Sequence, residues 1–121
     1  MKPDPTQPFG YDQKSFTVKS GVTVRLTFEN VSPIPQPHNW VLGKPGTKDK
    51  LIASSTTYAT NPQAAGRGFV MDDPDIITAT KLLQPTEKQT IEFVAGPPGE
   101  YPYLCTFPGH AMLMNGVMKV Q

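Results

Sequence analysis

Cysteine is nearly absent from this chain: Cys105 is the only one among 121 residues. A lone thiol excludes an internal disulfide, so cysteine usage is silent about an oxidising compartment. It also excludes an iron–sulfur cluster, which needs several thiolates. Charge is sparse as well. Charged residues make up 17% and the formal net charge is +1. No general field is available to attract nucleic acid or an anionic membrane. Lysines gather at Lys44, Lys48 and Lys50, and acids at Asp72, Asp73 and Asp75. Both groups read as solvated loop charges rather than docking surfaces. No apolar run reaches the length of about 18 residues that a spanning helix needs. The start, Met1-Lys2-Pro3-Asp4-Pro5, carries no apolar segment of signal-peptide type. That fits a mature chain, or a soluble piece of a longer one with an added methionine.

What is abundant points to strands and turns. The chain has 14 prolines and 10 glycines, which disfavour long helices. Apolar residues, at 37%, are too many for a disordered chain. The length fits one domain over residues 1–121, with Pro-rich residues 1–10 as an extended arm. Val22, Val24, Leu26 and Phe28 alternate with polar neighbours, the period of a half-buried strand. Asn30 to Pro37, with three prolines, ends it. Further strands are predicted around Phe16, over His38–Leu42, Asp75–Thr80, Lys88–Val94 and Glu100–Cys105, and from Gly116 to the end. Gly96-Pro97-Pro98-Gly99 marks a turn. Leu51–Thr60 is ambiguous, its serines and threonines favouring strand or loop, and Asn61–Gly66 has room for one helical turn. Seven or eight short strands with such turns predict an all-β antiparallel sandwich with at most a short helix in the central region.

Chemistry concentrates in one segment, Cys105-Thr106-Phe107-Pro108-Gly109-His110-Ala111-Met112-Leu113-Met114. It places a thiolate, an imidazole and a thioether in one loop after a strand, with Pro108-Gly109 turning the chain between the first two. The other histidine, His38, lies far upstream and joins only if the two strands are neighbours in space. Each residue alone has a plainer use: Cys105 as a small buried hydrophobe, His38 as a structural histidine, Met114 as core filler. Together they form a soft ligand set. Two imidazoles, one thiolate and a weak axial thioether suit a trigonal copper site. Calcium and magnesium want oxygen ligands. Zinc accepts Cys and His, but its structural sites usually take four strong ligands rather than a methionine. Adventitious zinc in the same cage stays open.

Two motifs resemble a known family. Cys105-Thr106-Phe107-Pro108-Gly109-His110, followed after three residues by Met114, is similar to the copper loop of the azurins. His38-Asn39-Trp40-Val41-Leu42 resembles the strand that carries their first histidine. The auracyanins share much of both motifs, with one more residue between the loop His and Met. The resemblance leaves the central region, Lys44 to Lys81, uncovered. It implies a cupredoxin fold, a Greek-key β-sandwich. It implies one copper ion cycling between Cu(I) and Cu(II), with His38, Cys105 and His110 as equatorial ligands and Met114 as the axial one. Met112 and Met118 are then not ligands. The carbonyl of Pro37, where azurins have glycine, is implied as a possible weak contact.

The resemblance also implies that backbone N–H groups of Asn39 and Phe107 point at the Cys105 sulfur, and that the Asn39 side chain ties to Thr106. The expected function is one-electron transfer through the His110 ring edge. Pro108, Gly109, Ala111, Met112 and Leu113 around it form an apolar patch for brief docking to redox proteins such as cytochromes or copper or haem enzymes. A monomer in the periplasm or on an extracytoplasmic face is expected. The rival reading, a copper enzyme, needs further metal sites, yet the chain has only two histidines and both are spent. A binuclear electron-transfer centre would need a second bridging cysteine. A copper carrier, which usually holds Cu(I) in an open soft site, and one domain of a longer redox chain are the remaining alternatives.

Overall fold

Strand β4 (Thr23–Glu29) pairs antiparallel with β7 (Lys88–Val94) along its whole length, from Thr23 opposite Val94 to Glu29 opposite Lys88. The period-two sequence explains the two faces. Val24, Leu26 and Phe28 turn inward, with Leu26 and Phe28 buried. Outside, the Thr27 and Thr90 hydroxyls bond at 2.7 Å and Arg25 meets Glu92 at 3.1 Å. The structure is a computed structural model and describes residues 1–32 and 34–121. Pro33, one of the three prolines expected to end β4, lies outside the described residues.

The facing sheet has the order β3 (Ser15–Val18), β9 (Asn115–Val120), β8 (Gly99–Leu104), β5 (Val41–Gly43), β6 (Ile76–Ala79). These seven strands make the sandwich, within the expected seven or eight. One pair departs from the antiparallel expectation, since β3 runs parallel to β9. Trp40, Tyr103, Tyr11, Phe28, Leu42 and Met118 fill the space between the sheets, each under 2% exposed. Tyr103 stands opposite Gly116 across the β8–β9 pair. A Cβ on Gly116 would sit 2.5 Å from the Tyr103 ring, so this position needs glycine.

Two segments differ from expectation. Residues 1–10, read as an extended arm, fold back as a hairpin of β1 (Pro3–Asp4) and β2 (Gln7–Tyr11). The Met1 ammonium donates to the Thr27 carbonyl at 2.9 Å and Glu29 N–H to the Met1 carbonyl at 2.9 Å, which docks the hairpin on the sandwich. Of Leu51–Thr60, read as strand or loop, all but the last two residues belong to the helix α1 (Lys48–Tyr58). The helical turn expected over Asn61–Gly66 forms as a 3-10 turn at Ala65–Arg67.

The helix is decided by what lies beneath it. Leu51, fully buried, joins Leu104, Met71 and Ala111 in a second core on the outer side of the five-stranded sheet. This explains why Tyr101 to Leu104 are buried on both faces, without the alternation of a half-exposed strand. The charged clusters are also less free than expected. Lys50 bridges Asp73 (3.0 Å) and Asp75, tying α1 to the segment before β6.

Candidate metal centre

Strand pairing brings the two distant motifs together. β5 lies beside β8, with Val41 opposite Leu104 and Leu42 opposite Tyr103. Three residues before β5, His38 is held by two backbone bonds to Leu83, at 3.1 and 2.8 Å. Cys105 follows directly on β8. Its N–H donates to the Met114 carbonyl at 3.0 Å, which closes the loop at its base. Within the loop, His110 N–H donates to Phe107 (3.0 Å) and Met114 N–H to His110 (2.8 Å). Gly109 takes φ of +82°, a left-handed turn position that favours glycine. Asn115, which the sequence reading passed over, donates from Nδ2 to the carbonyls of Ala111 (3.0 Å) and Met112 (3.1 Å).

Among the described residues, His38, Cys105 and His110 form a cluster whose ligand atoms all lie within 4.8 Å of one another. Cys105 Sγ is 3.9 Å from His38 Nδ1 and 3.7 Å from His110 Nδ1. Those separations test the fit of a metal. With metal–nitrogen distances of about 2.0–2.1 Å and metal–sulfur of about 2.3 Å, a trigonal angle gives about 3.8 Å between N and S and a tetrahedral one about 3.5 Å. The observed values are nearer the trigonal case. His38, Cys105 and Met114 are fully buried, and His110 is 4% exposed. A soft, dry donor set without carboxylates fits copper.

Burial also governs the electrostatics. It pushes the Cys105 thiol up to about 11, while hydrogen bonds from the Asn39 and Phe107 N–H groups pull the other way. A metal must therefore displace the thiol proton on binding. Desolvation, assisted by the neighbouring His110, lowers His38 to about 4, and desolvation lowers His110 as well. Both imidazoles are neutral near pH 7 and have lone pairs to offer.

Asn39 and Thr106 are joined by two side-chain bonds. Asn39 Nδ2 donates to Thr106 Oγ1 at 2.8 Å, and Thr106 N–H donates to Asn39 Oδ1 at 2.8 Å. Pro37 is half-buried. Around His110, Met112 and Leu113 are 75% and 69% exposed and Gly109 is exposed. Pro108 is half-buried, and Ala111, expected in the surface patch, instead packs in the second core. One neighbour was missed. Phe9 lies 4.8 Å from the His110 ring, and Phe107 lies 4.9 Å from it. Nothing in the Pro-rich start signalled this contact, because it depends on the hairpin folding back.

Comparison with known proteins gives the same assignment. Residues 2–121 match the family profile described as copper binding proteins, plastocyanin/azurin family. The chain is 32% identical over 114 residues to auracyanin-A of Chloroflexus aurantiacus, covering 94% of this chain and 68% of that protein. It is 30% identical over 128 residues to an azurin of Pseudomonas chlororaphis, covering 98% and 94%. A solved structure of dithionite-reduced auracyanin from Roseiflexus castenholzii superposes with a TM-score of 0.79 at 40% identity, covering 93% of this chain and 88% of that one. Among the described residues, no helix is long and apolar enough to cross a membrane. The chain belongs to the plastocyanin/azurin family of copper-binding proteins, as an electron-carrying blue copper protein of azurin and auracyanin type rather than an enzyme.

Proposed function

We propose that His38, Cys105 and His110 would hold one copper ion through Nδ1, Sγ and Nδ1, with the Met114 thioether and the Pro37 carbonyl as weaker contacts. The carrying observation is the buried convergence of the two Nδ1 atoms on Cys105 Sγ, at 3.9 and 3.7 Å. Bound copper supplies a one-electron couple between Cu(I) and Cu(II). The residues contribute rigidity and dryness. The β5–β8 pairing, the Cys105–Met114 bond and the Asn39–Thr106 clamp hold the donor atoms where they are, whichever charge the centre carries. A site that moves little between its two states exchanges electrons with little reorganisation.

Electrons pass by way of the His110 ring, whose slight exposure lies beside the exposed Met112 and Leu113 side chains. An uncharged apolar patch suits brief docking, and the partners we propose are redox proteins such as cytochromes or copper or haem enzymes. The protein works as a monomer, on the periplasmic or another extracytoplasmic side, the location of azurin and auracyanin family members.

The test is a visible spectrum of the copper-loaded protein. An intense thiolate-to-Cu(II) band is expected in the oxidised form, bleached by reductant. Cys105→Ser should abolish it, and Met114→Gln should keep the copper while shifting the potential. A copper-loaded protein that stays colourless with oxidant would overturn the assignment.

A further inference from the structure

Asn39 is unusual in having every polar group engaged. Its side chain bonds Thr106 twice, both at 2.8 Å, and its Nδ2 also donates to the Gly68 carbonyl at 3.1 Å. Its N–H lowers the pKa of the Cys105 thiol, against the effect of burial, by favouring the charged sulfur. Its carbonyl accepts a buried hydrogen bond of 2.7 Å from the Tyr11 hydroxyl. That last contact comes from β2, a strand outside both copper motifs. Tyr11 is fully buried, wedged edge-on against Phe28 (5.6 Å) and Tyr103 (5.4 Å). The position of its hydroxyl is therefore set by packing against two rings rather than by local chain freedom.

We propose that Tyr11 is a positioning residue for the metal centre: its O–H, donating to the Asn39 carbonyl, fixes the approach of the Asn39 N–H to the Cys105 sulfur and so sets the reduction potential. The direction follows from charge. A thiolate bears more negative charge when its metal partner is Cu(I) than when it donates strongly to Cu(II). A hydrogen bond to sulfur thus favours the reduced form. Loosening Asn39 weakens that bond and favours the oxidised form. The hairpin is then part of the electronic tuning of the site as well as a cover for it. This proposal rests on the ligand assignment above.

The experiment compares Tyr11→Phe with Tyr103→Phe. Each variant keeps its ring and loses one hydroxyl hydrogen bond of 2.7 Å, but the Tyr103 hydroxyl donates to the Gln13 carbonyl and not to Asn39. Both should melt at lower temperature. Only Tyr11→Phe should lower the potential and move the visible band to longer wavelength. In the copper-free protein, hydrogen exchange of the Asn39 amide should quicken roughly tenfold in Tyr11→Phe alone. An unchanged potential and exchange rate in Tyr11→Phe, or equal shifts in both variants, would overturn the proposal. Should Tyr11→Phe not fold, a fluorinated tyrosine at position 11 is a stronger donor of nearly the same shape. It should raise the potential, and no shift would overturn the role. Failure of the two readings is distinguishable. A wild-type protein without the blue band removes the ligand assignment, whereas an intact band with an unmoved potential removes only the role of Tyr11.

Discussion

At Cys105 two effects oppose each other. Burial favours the neutral thiol and lifts its pKa to about 11, while two backbone N–H groups favour the charged form. Burial wins in the metal-free protein, and the cation reverses the balance when it binds. The histidines carry the complementary cost. His38 has a normal value of 6.5 when unfolded and about 4 when folded. Below 6.5 the unfolded chain takes up a proton that the folded chain refuses. Stability of the copper-free protein should therefore fall as pH drops from about 6.5 toward 4, with His110 acting in the same direction. Thermal unfolding of the copper-free protein across that window checks this. His38→Gln should flatten part of the dependence, and a midpoint insensitive to pH there would contradict it.

Helix α1 and the N-terminal hairpin act as elements rather than as single residues. The helix has little intrinsic support: its threonines and serines are weak helix formers, and Ser55 and Thr56 return their hydroxyls to the Ile52 carbonyl at 2.7 and 3.2 Å. Its stability comes from Leu51, which reaches across Gly43 to Leu104 and Ala111. A Cβ on Gly43 would stand 2.4 Å from Leu51 Cδ1, so helix and strand leave no room for a larger residue. Leu51→Ala should cost about 2–5 kcal/mol, read from denaturant unfolding. Because Ala111 shares that core, the same variant should also loosen the copper loop, seen as faster hydrogen exchange of its amides. The hairpin contributes Phe9, against the His110 ring, and Tyr11, bonded to the Asn39 carbonyl. Phe9→Ala should enlarge the solvent-exposed edge of His110, which electron exchange with a small hydrophilic oxidant would register as a faster rate.

At the scale of the whole molecule, the loop from Phe107 to Met114 presents no charged side chain around His110. Leu113 is 69% exposed and Met112 75%, with only glycine and proline between His110 and Phe107. An exposed apolar patch of this kind marks a contact surface. Leu113→Asp places like charges face to face when two copies meet. Self-exchange of electrons should slow by roughly tenfold, the effect of about 1.4 kcal/mol of lost encounter stability, with the spectrum unchanged. A rate that stays the same would move the port elsewhere on the surface.

The ligand set was legible in the chain because its chemistry is local: a thiolate, an imidazole and a thioether at fixed offsets in Cys105–Met114, with one other histidine to complete them. The strands around Leu26 and Ile91 were legible because side chains on a half-buried strand must alternate. Three features were not. The convergence of His38 on Cys105 required β5 to lie beside β8, a choice of neighbours that no short pattern encodes. The helix α1 was hidden because its propensity is poor and its reason for forming, Leu51 over Leu104, is a contact across 53 residues. Phe9 on His110 and Tyr11 on Asn39 depend on a Pro-rich start folding back onto a surface that only the finished sandwich provides. Residue types and spacing decided which metal and which chemistry; long-range packing decided how the ligands meet, what shields them and what holds the hydrogen bonds to sulfur in place.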